Sequence, residues 1–135
     1  MYKKISNKIL KEAFRPKSPD SWKYKPKEWL SSMDILEVMS QYESTYKCFE
    51  FIGPSPIDYD NHYLNGTCVW EELCEFNLQD KLDNKKSKIG IIFNLDEHTQ
   101  PGSHWVGLFI NINKKQIIYF DSNGIEPPKE VNRLI

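Results

Sequence analysis

No apolar stretch in these 135 residues approaches the roughly 18 uninterrupted positions of a transmembrane helix, so no membrane span is expected. The opening segment, MYKKISNKILKEAF, has no apolar core followed by a small-residue cleavage site, so a secretory signal is not expected either. Cysteine is sparse. Cys48, Cys68 and Cys74 are odd in number and stand at no metal-ligand spacing, signalling neither a disulfide framework nor a zinc site. A soluble chain in a reducing, intracellular compartment is the expectation. No internal repeat or low-complexity block is present, which excludes solenoid and linker architectures.

What is present is enough for one folded domain, since 39% of the residues are hydrophobic. The net charge of -1 hides an asymmetry: residues 1–28 hold nine Lys and Arg against three Asp and Glu, and the remainder holds nine against sixteen. The chain therefore divides into a basic arm, 1–28, and a domain, 29–135. Such an arm suits nucleic acid or an acidic partner. It carries no groove-reading motif, and a solvated, partly mobile lead-in punctuated by Pro16, Pro19 and Pro26 is the favoured reading.

Past Pro26, WLSSMDILEVMSQYE reads as a helix capped by Ser31 or Ser32, with Ile35, Leu36, Met39 and Tyr42 on one face. A β-like piece, YKCFEFIG, ends at Gly53-Pro54, and PSPIDYDNHYLNG reads as a loop. TCVWEELCEF reads as a short helix with Trp70, Leu73 and Cys74 turned inward. Three strands follow, Lys88 to Asn94, His104 to Asn111 and Gln116 to Asp121. Both of their faces are apolar, which predicts a sheet covered on two sides. Pro127-Pro128 then opens a last helix, KEVNRLI.

The strand pairing decides whether His104 and Asp121 can meet. If Asn111 pairs with Gln116 across a four-residue turn, Val106 faces Asp121, and His104 becomes a diagonal neighbour on the same face, about 7–8 Å away at Cα. A two-residue turn would set them directly opposite; an odd-length turn would put them on opposite faces. An Asp holding the imidazole δ-nitrogen would leave the ε-nitrogen to deprotonate a nucleophile. Taken alone, such a pair is more often a structural salt bridge.

NLDEHTQPGSHWVGLFI followed by IIYFDSNG resembles the His and Asp blocks of the ubiquitin-like-protein-specific cysteine proteases, the clan of the SUMO proteases and the adenovirus protease. The 17-residue interval between His104 and Asp121 is similar to theirs, and WLSSMDI resembles the clan's Trp-Leu block. The likeness runs from about Trp29 onward and is closer to the proteases of large DNA viruses than to cellular desumoylases. It implies an α+β fold of the papain-like cysteine protease superfamily, mainly antiparallel sheet flanked by helices, with its C-terminal part missing. It also implies His104 as general base, Asp121 as its orienting partner, and Trp29 and Trp105 as aromatic walls around a Gly-Gly type substrate tail. Ser31-Ser32 stand where cellular members have Asn-Asp.

In the clan, the oxyanion Gln and the nucleophilic Cys lie downstream of the Asp; here all three cysteines precede His104. The implied protein is a cysteine-type endopeptidase cleaving after Gly-rich sites in a viral polyprotein or a ubiquitin-like conjugate, in host cytoplasm or virion. It needs no cofactor, and the chain as given would be inactive. A non-catalytic, protease-like binding module is the alternative. A third reading takes Cys68, at a helix start, as a papain-like nucleophile. A metal site from Asp96, His98 and His104 is disfavoured for want of a third nitrogen or sulfur ligand, and His62 reads as a surface histidine.

Overall fold

Of the two serines that the sequence offers as a cap, Ser31 is the one that starts the long helix. Its hydroxyl accepts from the Asp34 N–H at 3.1 Å while the Asp34 carboxylate accepts from the Ser31 N–H at 2.8 Å, a reciprocal cap that satisfies two otherwise orphaned donors. These bonds to Ser31 hold the Asp34 carboxyl below its ordinary pKa. The structure, a computed structural model, describes residues 13–135; residues 1–12, the first part of the basic arm, lie outside the described residues.

Helix α1 (Ser32–Thr45) is followed by β1 (Phe49–Pro56), the short helices α2 (Glu71–Cys74) and α3 (Leu78–Asp83), strands β2 (Lys88–Asn94), β3 (Trp105–Asn111) and β4 (Gln116–Phe120), and α4 (Lys129–Leu134). The strands form one sheet in the order β1-β2-β3-β4. β2, β3 and β4 pair antiparallel, but β1 joins β2 in parallel. That parallel pairing was not foreseen. It follows from the long crossover between the two strands, which carries α2 and α3, since parallel neighbours cannot be joined by a tight turn.

One sheet face carries the main core: Ile52, Ile89, Phe93 and Val106 with Leu73 of α2 and Val131 of α4, all at most 2% exposed. On the other face, Ile35, Met39 and Tyr42 of α1 pack against Phe49 and Phe51. The expected two-sided covering therefore holds over β1 and fails at β4, where Ile118 and Phe120 are exposed.

Three local expectations are corrected. β1 does not end at Gly53-Pro54 but continues to Pro56 through a register shift between Ile52 and Ser55, where proline's missing N–H is tolerated. The helix foreseen over 67–76 is a single turn, and α3 follows because the Asn77 side chain accepts from the N–H groups of Gln79 and Asp80. The described part of the basic arm is not a free lead-in. Phe14 packs edge-on against Tyr42, with ring centroids 5.1 Å apart, and the Gln41 amide both accepts from the Lys17 N–H and donates to the Lys17 carbonyl.

Candidate active site

The β3–β4 connection pairs Asn111 with Gln116 and Gly107 with Phe120, so the four-residue turn puts His104 and Asp121 on one face, just past the last paired residues. They meet at 2.6 Å between His104 Nε2 and Asp121 Oδ1. An ionised carboxylate only accepts, so Nε2 carries the proton and Nδ1 is the nitrogen left free. This reverses the expected use of the two nitrogens. The physical reason is reach: a diagonal cross-strand neighbour is met by the far end of the ring, not by the nitrogen nearest the backbone.

The Asp121 side chain is 2% exposed and that of His104 is 26% exposed. Asp121 Oδ1 also accepts from the Asn123 N–H at 2.9 Å. That backbone bond, then the His104 ring, then the Ile125 backbone N–H lower the Asp121 pKa, opposed by burial. Oδ2 is buried with no hydrogen-bond partner among the described residues. The Asn123 amide nitrogen lies 3.4 Å from His104 Nε2. Asn123 was missed in the sequence, although Asp-Ser-Asn-Gly is the signature of a turn in which a carboxylate bonds the backbone two residues on.

Because Asp121 is held in its ionised form, its share of stability is complete above the unfolded pKa, about 4, and is lost as pH falls through the lower folded value. The stability difference between the wild type and Asp121→Asn should therefore shrink as pH drops from about 5 toward 3. Urea unfolding across that range checks this; a difference that grows on acidification would refute it.

The loop that presents His104 is braced from within. Asp96 accepts from the Ser103 hydroxyl at 2.6 Å and from the Gly102 N–H at 3.1 Å, and Asn94 Oδ1 accepts from the Ser103 N–H. Gly102 has φ +97°, a backbone conformation that favours glycine, and a Cβ there would stand 2.7 Å from the Asn94 amide nitrogen and oblige that side chain to shift. A second His–Asp pair ties the same loop to the β1–β2 crossover. Asp58, buried, accepts from the His98 N–H at 2.9 Å and lies 2.6 Å from His98 Nδ1. Residues 40 apart with no shared motif left no trace of this pairing in the sequence. Asp96, His98 and His104 thus each bond a different partner and form no common ligand set.

Trp29 and Trp105 line one groove of about 660 Å³, together with Tyr63, Trp70, His98 and Ser103. The Trp105 indole N–H donates to the Leu30 carbonyl at 3.0 Å, which ties β3 to the segment before α1. Trp29 is 73% exposed and so is no core residue. His104 and Asp121 do not line this groove, but Ser103 and Trp105, on either side of His104, do.

No cysteine sulfur hydrogen-bonds His104 among the described residues. Cys48 is free and stands just before β1, whereas Cys68 and Cys74 are joined in a disulfide that the sequence reading did not expect. His62, read as a surface histidine without context, has its Nε2 3.5 Å from Cys68 Sγ. Cys68 thus has His62, not His104, at hydrogen-bonding distance.

The sequence pattern of the Ulp1 protease family, C-terminal catalytic domain, matches residues 31–135. The chain belongs to the Ulp1 protease family. Its α+β fold is in keeping with that membership. The Ulp1-family chain is also 39% identical over 131 residues to "Putative thiol protease R355" of Acanthamoeba polyphaga mimivirus, a match covering 97% of the chain and 40% of that protein. The chain thus spans about 40% of the length of that curated relative. No solved structure matches. Among the described residues no helix is long and apolar enough to cross a membrane.

Proposed function

We propose that this Ulp1-family chain supplies the general base and its positioning carboxylate to a cysteine-type endopeptidase, the nucleophilic thiol coming from a cysteine outside residues 1–135. The observation that carries this reading is the 2.6 Å contact between His104 Nε2 and buried Asp121, which leaves Nδ1 free to take a proton. The thiol proton moves to Nδ1 and sulfur attacks the peptide carbonyl carbon. The tetrahedral adduct collapses as the imidazolium gives its proton to the leaving amine, and water, deprotonated by the same nitrogen, releases the acyl group and regenerates the thiol. Asp121 holds the ring and stabilises the imidazolium without itself taking the proton. A Gln from the same outside segment completes the oxyanion site.

The substrate in this reading is a protein with a Gly-rich, Gly-Gly-x type site, in a viral polyprotein or a ubiquitin-like conjugate, processed in host cytoplasm or virion. Support for the glycine preference comes from Trp29 and Trp105 on one groove, since flat aromatic walls admit a chain without β-carbons more readily than one with them. The likeness to a mimivirus protein named as a thiol protease supports the viral setting. Any nucleic-acid role of the basic arm rests on its charge alone, since α1 holds Phe14 by its ring and Lys17 by its backbone.

The test compares the 135-residue chain with a form extended through the cysteine-bearing segment, on a fluorogenic Gly-Gly-x peptide. The extended form should hydrolyse it and lose activity on thiol alkylation; the 135-residue chain should match buffer. Hydrolysis by the shorter chain, lost in Cys68→Ser, would replace this mechanism with a papain-like one. An extended form that binds the Gly-rich peptide without cleaving it would make the protein a binding module.

A further inference from the structure

The segment between β1 and α3 gathers three ligand-bearing side chains that the proteolytic reading does not use. An Asn65-Gly66 turn, closed by Tyr63 N–H to Thr67 carbonyl at 2.8 Å, folds the segment back so that Val69 donates to Asn61 and Trp70 to Tyr59. His62 is thereby bridged to Cys68 across a short antiparallel ladder. The single turn of α2 then brings the Cα of Cys74 to 6.3 Å from that of Cys68. One ligand atom each from His62, Cys68 and Cys74 lie within 4.8 Å of one another.

We propose that His62, Cys68 and Cys74 form a binding site for a soft divalent cation of the Zn²⁺ class when the two thiols are reduced. Two thiolates and an imidazole are the donors that select zinc over magnesium or calcium. Zinc to sulfur and zinc to nitrogen distances of about 2.3 and 2.0–2.1 Å set a tetrahedral S···N edge of about 3.6 Å. The observed His62 Nε2 to Cys68 Sγ distance is 3.5 Å, so that edge is already formed. The fourth position is left to water or another small ligand, as in zinc sites with three protein donors.

The Cys68–Cys74 disulfide and the metal are alternative states of the same residues. A disulfide sulfur carries no thiolate charge. A dithiol reductant supplies two electrons and two protons, the S–S bond breaks to give two thiols, and the reductant leaves as its own disulfide. Zn²⁺ then displaces the two thiol protons. In a reducing compartment the thiol state prevails. The consequence falls on the groove, because Tyr63, Val69 and Trp70 from this same segment form part of its wall. Tyr63 also packs edge-on to His98, with ring centroids 5.3 Å apart. A metal joining the two arms of the ladder to α2 fastens that wall from outside. This holds whether or not the protein is a peptidase.

Anaerobic titration of the phosphine-reduced chain with Co²⁺ is the test, followed by displacement with Zn²⁺ and with circular dichroism confirming the fold of each variant. One equivalent of Co²⁺ should give a thiolate charge-transfer band in the near ultraviolet and the intense visible bands of a tetrahedral site. Zn²⁺ should bleach both. Cys68→Ser and Cys74→Ser should each weaken the charge-transfer band. His62→Ala should retain it while lowering affinity at least about tenfold, since even an outer partner of a ligand is worth about 10–100-fold. Cys48→Ser, outside the cluster, should change nothing, and the oxidised chain should take up no Co²⁺. A reduced, folded chain without the band, a band that survives Cys68→Ser and Cys74→Ser together, or equal binding by the oxidised chain would each overturn the proposal.

Discussion

On the proposed mechanism, replacing His104 with Ala in a form extended through the proposed nucleophilic cysteine is expected to lower kcat by about 10⁴ to 10⁶-fold. Removing a member of a nucleophile–base unit leaves only what substrate binding and the oxyanion donors supply, and losses of that order are measured when such units are broken. His104 is partly buried at the mouth of β3, and its ring bonds the buried Asp121 carboxylate. Its removal also deprives the buried Asp121 carboxylate of a partner and so costs stability, which is why rates are compared at a temperature where thermal unfolding shows both forms folded. Asp121→Asn should fall short of that loss, up to about 10⁴-fold, because the amide oxygen still accepts from Nε2–H but brings no charge to the imidazolium. Steady-state rates for both variants, with thermal unfolding as control, decide the matter. A His104→Ala enzyme within tenfold of wild type would remove His104 from the mechanism.

Phe93→Ala is expected to produce the largest change in stability, a loss of about 3–5 kcal/mol. Phe93 is fully buried in β2, its ring centroid is 5.9 Å from that of Tyr59, and it pairs with Val106, two residues after His104. Little of the resulting cavity can be filled by neighbours, since Ile91 and Val106 are themselves almost wholly enclosed. Phe120→Ala is the matched control: the same residue type in the same sheet, but 67% exposed on β4, with an expected change within about 0.5 kcal/mol. Urea midpoints at constant slope measure both. Equal effects at the two positions would mean that the core assigned to this sheet face is wrong.

Much of this architecture was legible before any coordinates. The serine cap and the apolar runs of β2, β3 and β4 are local features. Each is written in a few consecutive residues, and each predicts backbone conformation or side-chain direction by period alone. The resemblance that named the family rests on the same kind of contiguous signal, the blocks around Trp29, His104 and Asp121.

The sequence by itself determined the alternation of side chains along β3 and β4, and with it that an even-length turn would bring His104 and Asp121 to one face; the Asn111–Gln116 pairing of the folded sheet then set that turn at four residues. Only the tertiary structure decided which imidazole nitrogen meets the carboxylate, since that depends on the reach between two strands. It also decided that Asp58 takes His98, that β1 enters the sheet in parallel, and that His62, Cys68 and Cys74 converge. Each of these joins segments separated by turns whose directions are set by packing against the rest of the chain, and no local propensity records where such segments come to rest.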